Sequence, residues 1–235
     1  MASRGALGDA LCGAVEALLA ARWGDATQVV ARQPVGGGSI NRAERFDLAD
    51  GRRVFVKSNP APLPRMFENE ISGLASLHQA ARRGRAESEI AEAGGEQQLR
   101  IPEPLGCGAA PLPFIVLEFI ETGRSSRGFS ERLGRGLAGL HRRSAERHAQ
   151  AHQAPAMQAA SGPFGFEEDN YIGATPQPNA WTDDWVTFFA EQRLGFQLRL
   201  AADNGFGGEL ARLGERLLSR LGELIDEPAE PACLL

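Results

Sequence analysis

An Asp-Gly pair at residues 50–51 stands between two segments in which apolar and polar residues alternate. Such a pair favours a tight hairpin, because glycine readily adopts the positive φ that the turn needs. We therefore predict one strand from Ala43 to Leu48 and a second through Val54-Phe55-Val56-Lys57. Another strand is expected before them, from about Val29 to Val35, so this part of the chain predicts a β-sheet of at least three strands.

Apolar residues recur at helical spacing on both sides of these strands. Leucine and alanine positions between Leu7 and Leu19 predict an amphipathic helix near the start of the chain. Phe67, Ile71 and Leu74 predict a second helix, which begins near Met66.

The remaining sequence separates a β-rich part from a helical part. A polar stretch, 79–97, predicts a surface insertion, and an extended segment at 101–104 precedes a buried strand at 114–117. Leucine and aromatic residues then recur at helical spacing through the second half of the chain. We therefore predict an α+β fold of two lobes: a β-rich lobe with one main helix at 1–120, and part of a helical lobe at 121–235.

Charge and composition exclude several classes of partner. The 25 Lys and Arg residues are outnumbered by 30 Asp and Glu, giving a formal net charge of -5, which argues against a nucleic-acid partner. No window is apolar enough to span a bilayer, so no membrane partner is predicted. Cys12, Cys107 and Cys233 are odd in number and lack metal-ligand spacing, which predicts a reducing, cytoplasmic setting and no protein-bound metal centre. None of these features fixes an oligomeric state.

Three features of the first lobe together indicate phosphate binding. Gly36-Gly37-Gly38-Ser39 joins two predicted strands, where main-chain N–H groups can close over phosphates, although a flexible turn is the alternative for a glycine run taken alone. Lys57 ends a strand, where a lone lysine is usually solvated. Of Glu68 and Glu70 on the next helix, only one can face Lys57, and Glu70 borders the apolar stripe. Protein kinases hold ATP phosphates with this order of glycine loop, lysine strand and glutamate helix.

A possible adenine-binding segment follows the predicted strand at 114–117. Glu118, Phe119 and Ile120 occupy the position of a kinase hinge, which binds adenine through main-chain groups. Because main-chain groups barely constrain the side chains, an ordinary strand end is the alternative.

The second half of the chain carries its most specific pattern. The pattern consists of Phe164-Gly165-Phe166, Asp169-Asn170-Tyr171-Ile172-Gly173, Thr175-Pro176-Gln177 and Asn179-Ala180-Trp181. Together with Gly36-Gly37, Val54-Phe55-Val56-Lys57 and Met66-Phe67-Glu68-Asn69-Glu70, it resembles the fructosamine kinase (ketosamine 3-kinase) family. The resemblance covers nearly the whole chain outside the insertion around Arg82 to Glu96.

This resemblance implies a protein-kinase-like two-lobe fold, with ATP and Mg²⁺ as cofactors. It implies phosphorylation of the sugar 3-hydroxyl of ketosamines, either as small molecules or on glycated proteins, which repairs the glycated amine. It further implies that Lys57 holds the phosphates, that Glu70 orients Lys57, and that the main chain of Glu118–Ile120 takes adenine. The segment from Asp169 to Trp181 would help to shape the sugar site.

The sequence departs from the family pattern in two places. Gly38 stands where many relatives carry cysteine, which argues against a thiol switch in the glycine loop. Pro231–Leu235 stands where the family leads into a His-Gly-Asp catalytic loop and, later, a magnesium-binding acid. We therefore expect the catalytic aspartate beyond Leu235, no catalytic residue within the chain, and no activity from the chain alone. A non-catalytic nucleotide- or ketosamine-binding protein and an aminoglycoside- or choline-type kinase are the alternatives.

Overall fold

A computed structural model describes residues 4–36, 40–82, 99–124, 127–152 and 162–228. The chain divides into two compact units, Met1–Ala138 and Gly139–Leu235. The lobes predicted from the sequence, 1–120 and 121–235, differ from these units in their boundary and stay a prediction.

The first unit is built around one antiparallel sheet. Its strands are β1 (Val29–Pro34), β2 (Arg42–Leu48), β3 (Arg53–Ser58), β4 (Pro104–Gly108) and β5 (Phe114–Glu118), and its helices are α1 (Arg4–Trp23), α2 (Met66–Ala81) and the start of α3 (Phe129–His152). The strands lie side by side in the order β1-β2-β3-β5-β4. This order places β3, the strand that carries Lys57, between β2 and β5.

One face of the sheet packs against α1. Leu11, Val15 and Leu19 repeat every four residues along α1, so they share one face of the helix, and each is at most 3% exposed. They meet the alternate side chains of the central strands in one hydrophobic core, formed with Phe46, Leu48, Val54, Val56, Phe114 and Val116. Burying a large apolar side chain contributes about 1.5–3 kcal/mol, so this core accounts for much of the unit's stability.

The opposite face of the sheet packs against α2. Phe67, Ile71 and Leu74 form the apolar stripe of this helix, and they contact Ile115 and Leu117 of β5. The stripe fixes the rotation of α2 about its axis, because the rows i, i+4 and i+7 lie on one side of a helix. The polar residues beside the stripe are therefore held at the edge of this contact, over β3 and β5.

The β2–β3 turn is tied to the end of α1. Gly51 has a φ of 85°, a conformation that glycine adopts without strain. The Arg52 guanidinium lies 3.7 Å from the centre of the Trp23 ring and donates hydrogen bonds to Asp50. Thr27 Oγ1 donates to the same Asp50 carboxylate at 3.0 Å. These contacts fix the hairpin that the Asp-Gly pair predicts.

The second unit contains the remainder of α3, a short hairpin and a run of helices. The hairpin pairs β6 (Asn170–Ile172) with β7 (Thr175–Gln177). The helices are α4 (Trp185–Phe188), a π-helical segment (Phe189–Gly195), α5 (Phe196–Asp203), α6 (Glu209–Leu218) and α7 (Leu221–Leu224). Asp184 caps α4, since its side chain accepts a 2.7 Å hydrogen bond from the Thr187 N–H.

Two sequence-based boundaries need correction. The predicted insertion at 79–97 begins too early, because α2 continues to Ala81 and buries Ala80 and Ala81; residues 83–98 lie outside the described part. The extended segment predicted at 101–104 is displaced, since the strand there is Pro104–Gly108. None of the helices within the described ranges combines the length and apolar content that a membrane crossing needs.

Candidate functional site

Lys57 and Glu70 form an ion pair between β3 and α2. Lys57 Nζ lies 2.5 Å from Glu70 Oε1, and the two side chains are 30% and 26% exposed. Strand register places Lys57 opposite Ala43 of β2 on one side and Ile115 of β5 on the other, so its backbone is held from both sides. Lys57 is also the single lysine in the chain, while the other 24 basic residues of the 25 are arginines.

The rotation of α2 selects Glu70 over Glu68 as the partner. Residues two apart on a helix point about 200° away from each other, since each residue turns the helix by about 100°. The contact of Phe67 and Ile71 with the sheet turns Glu70 toward β3 and leaves Glu68 exposed. The pairing predicted from the apolar stripe is therefore present in the structure.

The ion pair leaves part of the lysine available to a ligand. An ammonium group carries three N–H donors, and Glu70 takes one of them in the structure. The remaining donors sit on a cation of fixed position at the edge of the sheet. Such a group suits an anionic ligand such as a phosphate, because its charge is oriented before the ligand arrives.

The glycine connector between β1 and β2 is only partly described. Gly36 is exposed and has no heavy atom within 4 Å of the position of an added Cβ. Gly37, Gly38 and Ser39 lie outside the described residues. Asn59 fixes the end of the connector, because its Nδ2 donates to Asn41 Oδ1 at 3.0 Å. Sequence reasoning missed Asn59; its place two residues after Lys57 and its amide side chain were the available signals.

Glu118 at the predicted hinge already uses part of its hydrogen-bonding capacity. Its N–H donates to the Glu103 carbonyl at 2.8 Å, so a contact between its main chain and a base would have to use its own carbonyl. Burial raises the pKa of the Glu118 carboxyl, but hydrogen bonds from Arg100 and the Glu103 N–H lower that pKa by more. This carboxylate braces the end of β5 against the segment that precedes β4.

Phe119 and Ile120 differ from Glu118 in this respect. Within the described ranges, no main-chain hydrogen bond outside the strand ladders engages either residue. Arg45 of β2 reaches over the Phe119 ring, with its guanidinium carbon 5.6 Å from the ring centre, and pairs with Asp47 at 2.8 Å. The structure thus places Phe119 beside a charged pair, and sequence reasoning had not singled out Arg45 or Asp47.

In the second unit, the segment that carries the Asp169-to-Trp181 pattern is fixed by a buried network. Asn179 is 2% exposed; its N–H donates to Asp169 Oδ1 at 2.8 Å and its Nδ2 donates to the Glu168 carbonyl at 2.9 Å. Asp169 and Asn179 lie on either side of the β6–β7 hairpin, so these bonds close the base of the hairpin. Arg193 of the π-helical segment completes the network by donating to Asn179 Oδ1 at 2.8 Å.

The described residues do not form a metal site by themselves. Among them, no group of three or more His, Cys, Asp or Glu side chains is arranged to hold a metal ion. A magnesium ion in proteins is usually held by one or two carboxylates together with substrate phosphates.

The fructosamine kinase family profile matches residues 12–235, which is nearly the whole chain. The chain belongs to the fructosamine kinase family. This confirms the resemblance inferred from the sequence, and the protein-kinase-like α+β fold with it.

Individual relatives agree with this membership. The protein-ribulosamine 3-kinase of Arabidopsis thaliana chloroplasts is 35% identical over 214 residues, which cover 90% of this chain and 56% of that protein. A protein of Synechocystis assigned as a ketoamine kinase is 37% identical over 180 residues, which cover 76% of this chain and 50% of that protein. A crystal structure assigned to the fructosamine-3-kinases, from Thermobifida fusca, superposes with a TM-score of 0.64 at 29% identity, covering 93% of this chain and 64% of that one. The chain spans about half the length of the curated relatives it matches.

Proposed function

We propose that these residues form the nucleotide-binding part of an ATP-dependent kinase that phosphorylates the sugar 3-hydroxyl of ketosamines. The observation that carries the proposal is the ion pair between Lys57 and Glu70, which lies on the strand and helix where protein kinases position their phosphate-binding lysine. Family membership and relatives named as ribulosamine and ketoamine kinases support the substrate class. Phosphorylation of such a sugar would serve the repair of glycated amines.

Each predicted cofactor-binding residue has a defined part in this proposal. Lys57 would hold the ATP phosphates, while Glu70 keeps the ammonium group in place between β3 and α2. Gly36, with Gly37, Gly38 and Ser39, would close over the phosphates through main-chain N–H groups. Adenine would contact the main chain of Glu118, Phe119 and Ile120, although the Glu118 N–H already donates to the Glu103 carbonyl.

We assign no catalytic base within these 235 residues. The family resemblance implies a catalytic aspartate in a His-Gly-Asp loop, and this tripeptide does not occur in the sequence. The residues present bind and orient the nucleotide, and Mg²⁺ would accompany the ATP phosphates and offset their charge. A non-catalytic nucleotide- or ketosamine-binding protein remains the alternative to this proposal.

Partner and location are part of the proposal. The substrate would be a free ketosamine or a glycated protein, and no nucleic acid or membrane is involved. A cytoplasmic location, predicted from the cysteine pattern, also stays a prediction.

The single lysine gives a sharp test of nucleotide binding. We expect Lys57→Met to weaken ATP binding about 10- to 100-fold, since a hydrogen bond to a charged group contributes about 1.5–3 kcal/mol. Isothermal titration calorimetry measures the affinity, and a melting curve checks that the fold is retained. Glu70→Gln should weaken binding to a smaller degree, while Glu68→Gln serves as the matched control and should bind normally. Unchanged affinity in Lys57→Met would reject the assignment.

A second measurement separates binding from catalysis. The 235-residue chain is incubated with ATP, Mg²⁺ and a ribulosamine, and the sugar is followed by ³¹P NMR. ATP binding without a phosphorylated sugar is the expected result. Phosphorylation by the chain alone would show that the catalytic base lies within it, contrary to the proposal.

A further inference from the structure

The face of the sheet that carries Lys57 also carries Arg45. Directly opposed residues of neighbouring strands share a face, and every second residue along a strand returns to it. Lys57 lies opposite Ala43, and Arg45 lies opposite Phe55, two residues further along each strand. Phe55 in turn lies opposite Leu117, near the end of β5. Arg45 therefore stands one step of about 7 Å from the row of Lys57, on the side of the predicted adenine-binding segment.

Asp47 fixes the direction of the Arg45 side chain. Arg45 Nη2 donates to Asp47 Oδ2 at 2.9 Å, and Arg45 Nε lies 2.8 Å from Asp47 Oδ1. The two side chains are only 20% and 21% exposed. A contact at two points leaves a planar guanidinium little rotational freedom. The Arg45 guanidinium is therefore oriented by a residue of its own strand.

Two arginines connect the segment after β5 to the sheet. The guanidinium carbon of Arg45 lies 5.6 Å from the centre of the Phe119 ring, within the range over which a cation attracts an aromatic face. Arg53 of β3 pairs with Glu121, and its Nε lies 3.6 Å from Asp47 Oδ1. The Arg53 and Glu121 side chains are 47% and 65% exposed, so their pair contributes little. The contact between Arg45 and Phe119 is therefore the better shielded of the two connections.

We propose that Arg45 is a positioning residue for the base of the nucleotide: it holds the Phe119 ring, and with it the main chain of Glu118–Ile120, against β2. Main-chain groups bind a base well only within a narrow range of distance and angle, so the segment that offers them must be held in place. The inference rests on the proposed nucleotide-binding function. It adds a residue that acts on the adenine end of ATP, whereas Lys57 acts on the phosphates.

ATP and inorganic tripolyphosphate separate the two ends of the nucleotide. Tripolyphosphate carries the phosphates without a base, so its binding needs Lys57 but not the adenine-binding segment. Isothermal titration calorimetry measures the affinity of both ligands, with Mg²⁺, for the 235-residue chain and for Arg45→Met, Asp47→Asn and Lys57→Met. Arg212→Met removes an equal charge from an exposed pair on α6 and is the matched control. Melting curves check that each variant is folded.

We expect Arg45→Met to weaken ATP binding roughly three- to ten-fold and to leave tripolyphosphate binding unchanged. Asp47→Asn should act in the same direction with a smaller effect, and Arg212→Met should change neither affinity. Unchanged ATP affinity in Arg45→Met, or an equal loss for both ligands, would overturn the inference. The proposed function fails on a different result, namely a Lys57→Met variant that binds both ligands as tightly as the wild type.

A double-mutant cycle with Phe119→Leu tests whether Arg45 acts through the ring. If it does, adding Arg45→Met to Phe119→Leu should weaken ATP binding by less than about two-fold more, because the contact is already lost. Fully additive losses would show that Arg45 acts on the nucleotide independently of Phe119 and would overturn the positioning role.

Discussion

Arg193 Nη2 donates a 2.8 Å hydrogen bond to the Oδ1 atom of Asn179, a residue that is 2% exposed. Arg193 Nη1 also donates to the Pro178 carbonyl at 2.6 Å, and the guanidinium lies 4.5 Å from the centre of the Phe188 ring. Burial lowers the pKa of Arg193 from its usual value, which marks a cation removed from water. The π-helical segment thus holds the base of the β6–β7 hairpin through one side chain.

We expect Arg193→Met to lower the free energy of unfolding by about 1.5–3 kcal/mol, because Asn179 Oδ1 and the Pro178 carbonyl each lose a charged donor. Chemical denaturation followed by tryptophan fluorescence measures the change. Arg199→Met, at an exposed position of α5, is the matched control and should change stability by less than about 0.5 kcal/mol. Equal effects of the two substitutions would show that the network contributes little.

The first unit was largely predictable from the sequence because its signals are local. The Asp-Gly turn and the alternation around it predicted β2 and β3 to within one residue at each end. The stripe of Phe67, Ile71 and Leu74 predicted α2, and with it the choice of Glu70 over Glu68. Each of these inferences needs only the period of a strand or a helix.

The second unit was less predictable because its order depends on contacts between distant residues. The hairpin strands β6 and β7 have three residues each, too few for alternation to show. The link between Arg193 and Asn179 joins residues 14 positions apart and has no periodic signal. In the hinge, the Glu118 N–H donates to the Glu103 carbonyl because the chain before β5 runs alongside it as β4. The sequence-based prediction placed this extended segment at 101–104, several residues before the strand in the structure.

A second prediction concerns the buried ion pair between β1 and β2. Glu44 is 3% exposed and accepts from Arg32 Nη2 at 2.9 Å. Glu44→Gln should destabilise the fold by about 2–3 kcal/mol, less than for a fully buried pair because the Arg32 side chain is 23% exposed. Glu131→Gln breaks an exposed pair with Arg135 and should cost less than about 0.5 kcal/mol. Urea denaturation of both variants tests this contrast, and similar losses would contradict it.

A third prediction concerns acid. Side-chain and main-chain hydrogen bonds from Arg52, with a smaller contribution from Thr27, lower the pKa of Asp50 from 3.8 to about 2. Because the folded-state pKa lies below the unfolded one, this carboxylate stabilises the protein above about pH 4, and the stabilisation is lost as the pH falls toward 2. The melting temperature of the wild type should therefore exceed that of Asp50→Asn at pH 6, and the difference should shrink between pH 4 and pH 2. A difference that is constant with pH would exclude this titration.

A fourth prediction concerns two glycines in different surroundings. A Cβ at Gly162 would lie 2.1 Å from the Thr182 carbonyl oxygen, a main-chain atom that cannot turn aside. Gly162→Ala should therefore destabilise the protein by about 1–3 kcal/mol. Gly13 lies on the exposed side of α1 with open space around it, so Gly13→Ala should stabilise by about 0.5–1 kcal/mol. Thermal melts of the two variants should shift in opposite directions, and shifts of the same sign would contradict the geometry.

The π-helical segment also limits how this region can change in evolution. A π-turn holds one residue more than an α-helical turn, so deletion of one residue between Phe189 and Gly195 would favour a regular helix. Every side chain on one side of the deletion would then turn by about 100° relative to the other side. Arg193 could no longer face Asn179 while Leu198 kept its contact with Gly214. We therefore expect insertions and deletions to be absent from this segment in functional descendants of the gene.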